Sequence, residues 1–599
     1  MWGLDGIRYD SAVNILGIYY GHNSTALLFK DGKVLDCVSE ERFTGVKNQT
    51  GIPYNAIDYI LKKNKLKSGS LDAVAIPVKV TAPIYASSET KHNFFISLIN
   101  YFYNHLPFVK DTFGLVSFYN PALRGIGRFF YSFFSKTVGS YTARNERKLL
   151  AVYLKVPEDK IHAFDHHTSH AFSAYYSSPF NGEKALVLTL DAEGDGVCAT
   201  VNIFDGKEFE CLSKTHADNS LGLMYAAVTR HLCMKAGEHE YKVMGLAPYA
   251  KEYAIADVYN KIKDLFSLGG KDGLEIVSKF DMRQMPKYLK RELGCVRFDV
   301  MAGVFQKLLE EIGVAWVENA VDKTGIATVC LAGGVFMNVK LNQKIHESSK
   351  VRKVFYMPSG SDESSPIGAA YLAHFQLSGR SNIQVIQDLY WGLSFLNDEV
   401  KDFLNKVRAS KKYKVAHFDD IEKEIARLIY DGKIVGRMSG RMEWGARALG
   451  NRSILADPSN PEIVNVLNEQ VKNRDFWMPF TPSILEERAD DYIVNPKNIF
   501  APYMIVTFET TELARRELKA AIHPYDLTIR PQMVRETWNP KYHKLIREFE
   551  KLSGIGGVLN TSFNLHGFPI VKGPKEAYSA FENSGLRYLA LENHLISKE

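Results

Sequence analysis

The feature that most constrains the fold of this chain is a repeat. "ILGIYYGHNSTALLFKDGKVLDC" (Ile15–Cys37) and "ALVLTLDAEGDGVCATVNIFDGKEFEC" (Ala185–Cys211) each read as an apolar strand, a turn of small and polar residues, a second strand, a DGK turn and a third strand. Both close on the pattern DGK-x-[LF]-[DE]-C. Asp-Gly is a strong hairpin signal, because both central residues of the tight turn take positive φ. A solenoid repeats every ~20–50 residues. Here the spacing is about 170, which points to two structurally similar halves.

Such halves predict a fold of the actin–hexokinase–Hsp70 type, whose two turns present backbone N–H groups to nucleotide phosphates. The bland alternative is that DG hairpins are common and the likeness is accidental. The second half continues into "CLAGGVFMNVKLNQKI", a strand, a Gly333-Gly334 turn and a helix start where backbone can press on a ligand. At 599 residues the chain is too long for one core and predicts at least two domains. The first fourteen residues carry Asp5 and Asp10 where a secretory leader would be apolar, and the most aromatic segment is broken by Asn, His and Lys. Six scattered cysteines, none in a CxxC pair, read as a reduced chain. These features together predict a cytoplasmic protein without a membrane span.

"DHHTSHAF" (Asp165–Phe172) places three histidines in five positions at the start of a helical pattern that ends before Pro179. Residues four apart share a helix face, so His166 and His170 point one way and His167 another. Two such imidazoles hold a metal ion if carboxylates join them; without carboxylates they are caps or hydrogen-bonding groups. Asp191 ends the strand "ALVLTLD", and Asp362 sits in "MPSGSDESSPIGAAYLAHF", before a helix whose Gly368-Ala369-Ala370 face favours close packing. Two imidazoles and two carboxylates suit Fe(II), Mn(II) or Zn(II) and disfavour calcium.

Further on, Arg441, Arg447, Arg452, Lys472 and Arg474 crowd a stretch punctuated by Gly440, Gly445 and Gly450. Glu443, Asp457 and Asp475 offset only part of that charge. Guanidinium groups grip phosphate in two-pronged fashion, so the stretch reads as a polyanion site, against the alternative of a solvated helix face. "HPYDLTIRPQ" adds His523, Asp526 and Arg530, and "LNTSFN" adds Asn560, Ser562 and Asn564, as binding groups or as capped loops.

With these motifs assembled, the chain resembles the O-carbamoyltransferases of the NodU and TobZ type from about Asn14 to its C-terminus. The likeness rests on "GHNSTALL", "SEERFTGVK", "DHHTSHAFSAYY", "EYKVMGLAPYA", "CLAGGVFMN", "GSDESSPIGAAYL", "GRMEWGARALGNRSILADP", "VKNRDFWMPFTPSIL" and "GVLNTSFNLHGFPIVKGP". It implies an α/β architecture: an actin/Hsp70-like duplicated domain similar to Kae/TsaD proteins over 1–380, then an α+β YrdC-like domain over 381–599. The YrdC-like part is expected to make carbamoyl-adenylate from carbamoyl phosphate and ATP with Mg. The Kae-like part is expected to pass the carbamoyl group to an alcohol.

Carried over residue by residue, the family's metal site falls on His166, His170, Asp191 and Asp362, with iron as the expected ion. His22 matches the histidine beside the transfer centre and is a candidate general base, since its ordinary pKa lies near neutrality. Lys242 is expected to meet phosphate charge or to pair with Glu238 or Glu240, and Arg447 to act at the activating centre. Gly333, Gly334 and Asn338 are expected at the nucleotide. Three departures stand out. Asn23 replaces the usual Asp and should lack an orienting carboxylate. Ala446 replaces Pro in "GARALG". Met478 replaces an Arg that would contact phosphate.

The acceptor alcohol is open, with a small antibiotic, sugar or natural product expected first. Residues 86–150 hold eight Lys or Arg against three Asp or Glu, with fifteen Phe or Tyr. They read as an amphipathic helical insertion, or as a platform for a hydroxymethylated base in DNA. A kinase of the same fold would need neither the histidine pair nor the C-terminal cations. A non-catalytic partner in tRNA modification would need only the first 380 residues.

Overall fold

The computed structural model describes residues 13–81, 124–206, 208–379 and 382–598, with side chains in the helix Arg124–Leu154 from residue 136 onward. The chain forms two compact units: Met1–Glu40 with Asn48–Ile386, and Glu41–Lys47 with Gln387–Glu599. The fold is mixed α/β.

In the first unit the strands are β1 (Asn14–Tyr19), β2 (Thr25–Lys30), β3 (Lys33–Ser39), β4 (Ala73–Ile76), β5 (Ile161–Ala163), β6 (Ala185–Gly194), β7 (Val197–Phe204), β8 (Phe209–His216), β9 (Phe266–Gly269), β10 (Glu275–Ser278), β11 (Thr328–Ala332) and β12 (Lys353–Tyr356). One sheet has the order β3-β2-β1-β4-β5 and another β8-β7-β6-β11-β12, while β9 and β10 form a separate ribbon. In each five-stranded sheet the first three strands pair antiparallel and the last two join in parallel. The sequence repeat is thus a repeat of topology. Its turns are not copies. Lys30 pairs with Lys33 across Asp31-Gly32, both at positive φ, the tight hairpin expected of Asp-Gly. In the second half Phe204 pairs with Phe209 across four residues, and the Glu208 N–H is held by the Asp205 carboxylate at 2.7 Å. A longer loop removes the need for positive φ at both positions.

The helix Ser365–Ser378 packs on the helix His166–Ser177. A Cβ at Gly368 would sit 1.7 Å from the carbonyl oxygen of Ser169, so only glycine permits this approach. That contact brings the loop bearing Asp362 onto the histidine helix. Among the described residues, no helix is long and apolar enough to cross a membrane.

The second unit is built on an eight-stranded mixed sheet. Its strands are β13 (Lys414–His417), β14 (Val435–Met438), β15 (Arg452–Ala456), β16 (Thr481–Leu485), β17 (Ile493–Val494), β18 (Phe508–Thr510), β19 (Thr528–Ile529), β20 (Gln532–Val534), β21 (Gly557–Ser562), β22 (Tyr588–Leu591) and β23 (His594–Ser597). The order is β13-β23-β22-β14-β15-β21-β16-β20, with β17, β18 and β19 in a small second sheet. Ile454, Leu559, Phe563, Phe581 and Leu589 lie in its core. The segment Glu41–Lys47 belongs here although sequence reading left it in the first domain. The Arg42 guanidinium donates to the carbonyls of Gly445 at 3.0 Å and Ile570 at 3.4 Å, and the Lys572 ammonium lies 5.3 Å over the Phe43 ring.

Of the insertion 86–150, residues 86–123 lie outside the described residues, and the side chains of Arg124 and Arg128 are likewise not described. From 136 onward the helix buries Val138, Thr142, Ala143, Glu146 and Leu150 and leaves Lys136, Arg144 and Lys148 exposed, an amphipathic pattern.

Candidate functional sites

The helix His166–Ser177 starts at Asp165, whose side chain accepts the Thr168 N–H at 2.9 Å, a cap worth about 1 kcal/mol. Its first turn presents His166 and His170 on one face, with their Nε2 atoms 3.1 Å apart. Asp191 Oδ2 lies 3.8 Å from His166 Nε2 and 3.4 Å from His170 Nε2, and Asp362 Oδ1 lies 3.5 and 3.6 Å away. All four ligand atoms fall within 4.8 Å of one another. Four donors about 2.1 Å from one ion stand about 3.4 Å apart in a tetrahedron, so the residues fit a transition metal.

Charge balance in this cluster is internal. Burial disfavours a charged His166, but Asp362 and Asp191 outweigh it and hold the imidazole up at about 9. The same histidines hold Asp191 well below the usual carboxylate range against its burial. His167 points elsewhere: Nδ1 meets Thr189 Oγ1 at 2.7 Å and Nε2 meets the Val197 carbonyl at 3.0 Å. Burial, then the charges of His166 and His170, push it down to about 3, so it is a neutral tie between helix and sheet.

Backbone amides steady the carboxylates. Gly334 N–H donates to Asp191 Oδ2 at 3.1 Å, and Ala192 N–H donates to its Oδ1 at 2.6 Å. The Gly333-Gly334 turn therefore holds a carboxylate in this structure. Asn338, expected at a nucleotide, has partners within the fold. It accepts the Leu341 N–H at 3.0 Å as a helix cap and exchanges two hydrogen bonds with Gln306. His22 lies on the β1–β2 turn; a Cβ on Gly237 would lie 3.9 Å from its Nε2. Burial raises Glu240, and the nearby His22 draws it back. Lys242 is buried in the helix Glu240–Leu246, while Glu238 pairs with Lys235.

The second unit gathers cations. Lys472 Nζ donates to the Ser562 carbonyl, to Asn564 Oδ1 at 2.7 Å and to the Asn564 carbonyl at 3.1 Å. Burial, then the charges of Arg474 and Lys47, push its ammonium well below the usual lysine value. Arg530 is pushed down by burial and then by Arg447 and Arg474. Its outer edge is partly exposed, but its Nε is enclosed with no hydrogen-bond partner. Arg447, Lys472, Arg474 and Arg530 thus share one region, joined by Lys47 from the 41–47 segment. Lys47 closes the motif "SEERFTGVK", far in sequence from the cations it joins.

Other residues named from the sequence make contacts within the fold. Arg452 is fully buried and donates to the carbonyls of Ser439, Leu393, Lys572 and Asn451, so its guanidinium staples loops. Arg441 donates to the Trp391 and Gly392 carbonyls. Asn560 is buried, its amide directed to Ala448 O and Ser483 Oγ. His523 lies 3.3 Å from Asp526 in a turn where Asp526 also binds Thr528, the capped-loop alternative. Met478, at the position that departs from an Arg, is buried.

Comparison with known proteins gives the family. The model of the carbamoyltransferase N-terminus matches residues 14–371, and that of the carbamoyltransferase C-terminus matches residues 426–598. The chain belongs to the carbamoyltransferase family, and it is an enzyme of carbamoyl transfer. It is 32% identical to an uncharacterized protein of Methanocaldococcus jannaschii over 98% of this chain and 99% of that one. It is 29% identical to nodulation protein NolNO of Sinorhizobium fredii, over 96% of this chain and 79% of that protein. Among solved structures, component A of the (R)-2-hydroxyglutaryl-CoA dehydratase of Acidaminococcus fermentans aligns with a TM-score of 0.30 at 14% identity, over 60% of this chain and 96% of that one.

Proposed function

We propose that the protein is an ATP-dependent O-carbamoyltransferase with an activating site in the second unit and a transfer site in the first. The second unit reads as YrdC-like and the first as Kae/TsaD-like. Carbamoyl phosphate is hydrolysed to carbamate and phosphate. Carbamate oxygen then attacks the α-phosphorus of ATP, giving carbamoyl-adenylate and releasing pyrophosphate. In the transfer step the acceptor hydroxyl attacks the carbamoyl carbon, AMP leaves with the bonding electrons, and the hydroxyl proton passes to the His22 imidazole.

One observation carries the reading. Arg530 is enclosed among other cations with an unmatched Nε, and a polyanion supplies both the missing acceptor and the missing charge. Carbamoyl phosphate, ATP and pyrophosphate are all polyanions. In the first unit His166, His170, Asp191 and Asp362 hold an ion, iron by the resemblance, with manganese or zinc as the alternatives. When bound, that ion polarises a carbonyl or lowers the pKa of an alcohol. The acceptor is a small-molecule alcohol, with a hydroxymethylated base in DNA as the alternative.

Carbamoyl-phosphate-dependent exchange of labelled pyrophosphate into ATP tests the proposal. Exchange that needs carbamoyl phosphate supports it, whereas exchange without it, or none with folded protein, overturns it. A kinase or a non-catalytic partner gives no such exchange.

A further inference from the structure

Two hydrogen bonds tie the turn that carries His22 to the turn that carries Asp362. On one side of His22, Tyr19 donates its hydroxyl proton to Asp362 Oδ2, while Oδ1 of the same carboxylate faces His166 and His170. On the other side, Asn23 donates from its amide nitrogen to Glu363 Oε2. Glu363 is 2% exposed and takes a further bond from the Ser359 hydroxyl on Oε1. The tied carboxylates are consecutive, and the histidine sits between the two tethers.

The choice of asparagine follows from this geometry. Asn23 holds φ at 59°, a left-handed conformation that Asn and Asp adopt more readily than other side chains. Aspartate would satisfy that backbone, but it would set a second carboxylate against the buried Glu363 and remove the donor. The amide accepts a cost to make the bond: its Oδ1 is buried with no partner. A charged acceptor is the stronger partner, which fixes the amide orientation. The side chain at position 23 thus meets a carboxylate across the turn, that of Glu363.

From these contacts we infer that Asn23 and Tyr19 are positioning residues that couple the metal site to His22, so that filling the site orders the turn Tyr19–Ser24. An ion that pulls Asp362 Oδ1 towards His166 and His170 also fixes Oδ2 and the neighbouring Glu363, and each holds one end of the histidine turn. Partners that orient metal ligands typically change metal affinity by about 10–100-fold when removed. This inference rests on the metal reading above.

The test uses the full-length protein, stripped of metal and titrated with Mn(II), with hydrogen–deuterium exchange followed in the peptide covering residues 19–24. Metal should slow exchange there at least tenfold in the wild type. Asn23→Asp should still bind the ion, about tenfold more weakly, and should lose the metal-dependent slowing. In the double variant Asn23→Asp/Glu363→Gln the donor and acceptor are exchanged, and the slowing should return. Tyr19→Phe, which keeps the ring, should weaken metal binding and halve or abolish the slowing. Equal slowing in wild type and Asn23→Asp overturns the coupling while leaving the metal reading intact. If Mn(II), Fe(II) and Zn(II) all fail to bind wild type, the metal reading falls and the coupling with it. Thermal melts separate either result from misfolding, because the rescued double variant must melt with the wild type.

Discussion

The clusters around His166 and around Lys472 face opposite electrostatic conditions. In the first unit, two buried imidazoles and the buried Asp191 meet the partly exposed Asp362, and each sign supports the other: His166 is held up at about 9 and Asp191 far down. In the second unit, like charges crowd together around the buried Lys472, so Lys472 and Arg530 are both pushed down by burial and by neighbouring cations. The first cluster is self-neutralised, and on the proposed reading it takes up a cation by giving up a proton. On the same reading the second takes up an anion. An opposite-charge cluster suits a metal, and a like-charge cluster suits phosphate.

The comparison breaks most sharply at the ligands. His170→Ala should reduce bound transition metal from one equivalent to near none by elemental analysis and abolish transfer, while leaving pyrophosphate exchange in place. His167→Ala should keep the metal and cost about 1–3 kcal/mol of stability, because Thr189 and the Val197 carbonyl lose a buried partner. Metal loss in His167→Ala equal to that in His170→Ala would reassign the ligands.

Arg530→Gln should have the reverse profile. Pyrophosphate exchange should fall about 100-fold, on the scale of losing one preorganised donor to a transition state, with metal content unchanged. A variant that exchanges normally would place the polyanion elsewhere.

pH sharpens the contrast with a smaller effect. His166 has an ordinary value near 6.5 in the unfolded chain and about 9 in the metal-free fold. Its contribution to stability is full below pH 6.5 and is lost as pH rises through about 9. Melting temperature of metal-free protein should fall across that window, and metal affinity should rise with pH because binding displaces the same proton. A pH-independent affinity between 6.5 and 9 contradicts the proton assignment.

The smallest expected effect concerns the insertion. Changing Arg124, Arg128 and Lys136 to Ala should leave carbamoylation of a small alcohol unchanged. DNA retention that falls steeply between low and moderate salt, and is lost in that variant, would instead select the nucleic-acid acceptor.

Local spacing made much of this legible in the sequence. The repeat of Ile15–Cys37 at Ala185–Cys211 gave the two like sheets, since strand alternation and DG turns act over a few residues. The i,i+4 spacing put His166 and His170 on one face because helix geometry alone does so. A carboxylate at the end of a strand and a carboxylate before a small-faced helix were visible as well.

Tertiary structure decided what those groups do, because each buried donor must find an acceptor and the competition runs between residues far apart in the chain. Arg452 and Lys472 look alike as cations in a glycine-rich stretch. Packing ties both to backbone carbonyls, and on Lys472 burial and the neighbouring cations Arg474 and Lys47 push the ammonium down. Asn338 becomes a cap, Glu41–Lys47 joins the second unit, and Asn23 finds its carboxylate 340 residues away at Glu363. Periodicity fixes which residues share a face, whereas only the packed chain fixes which of them meet.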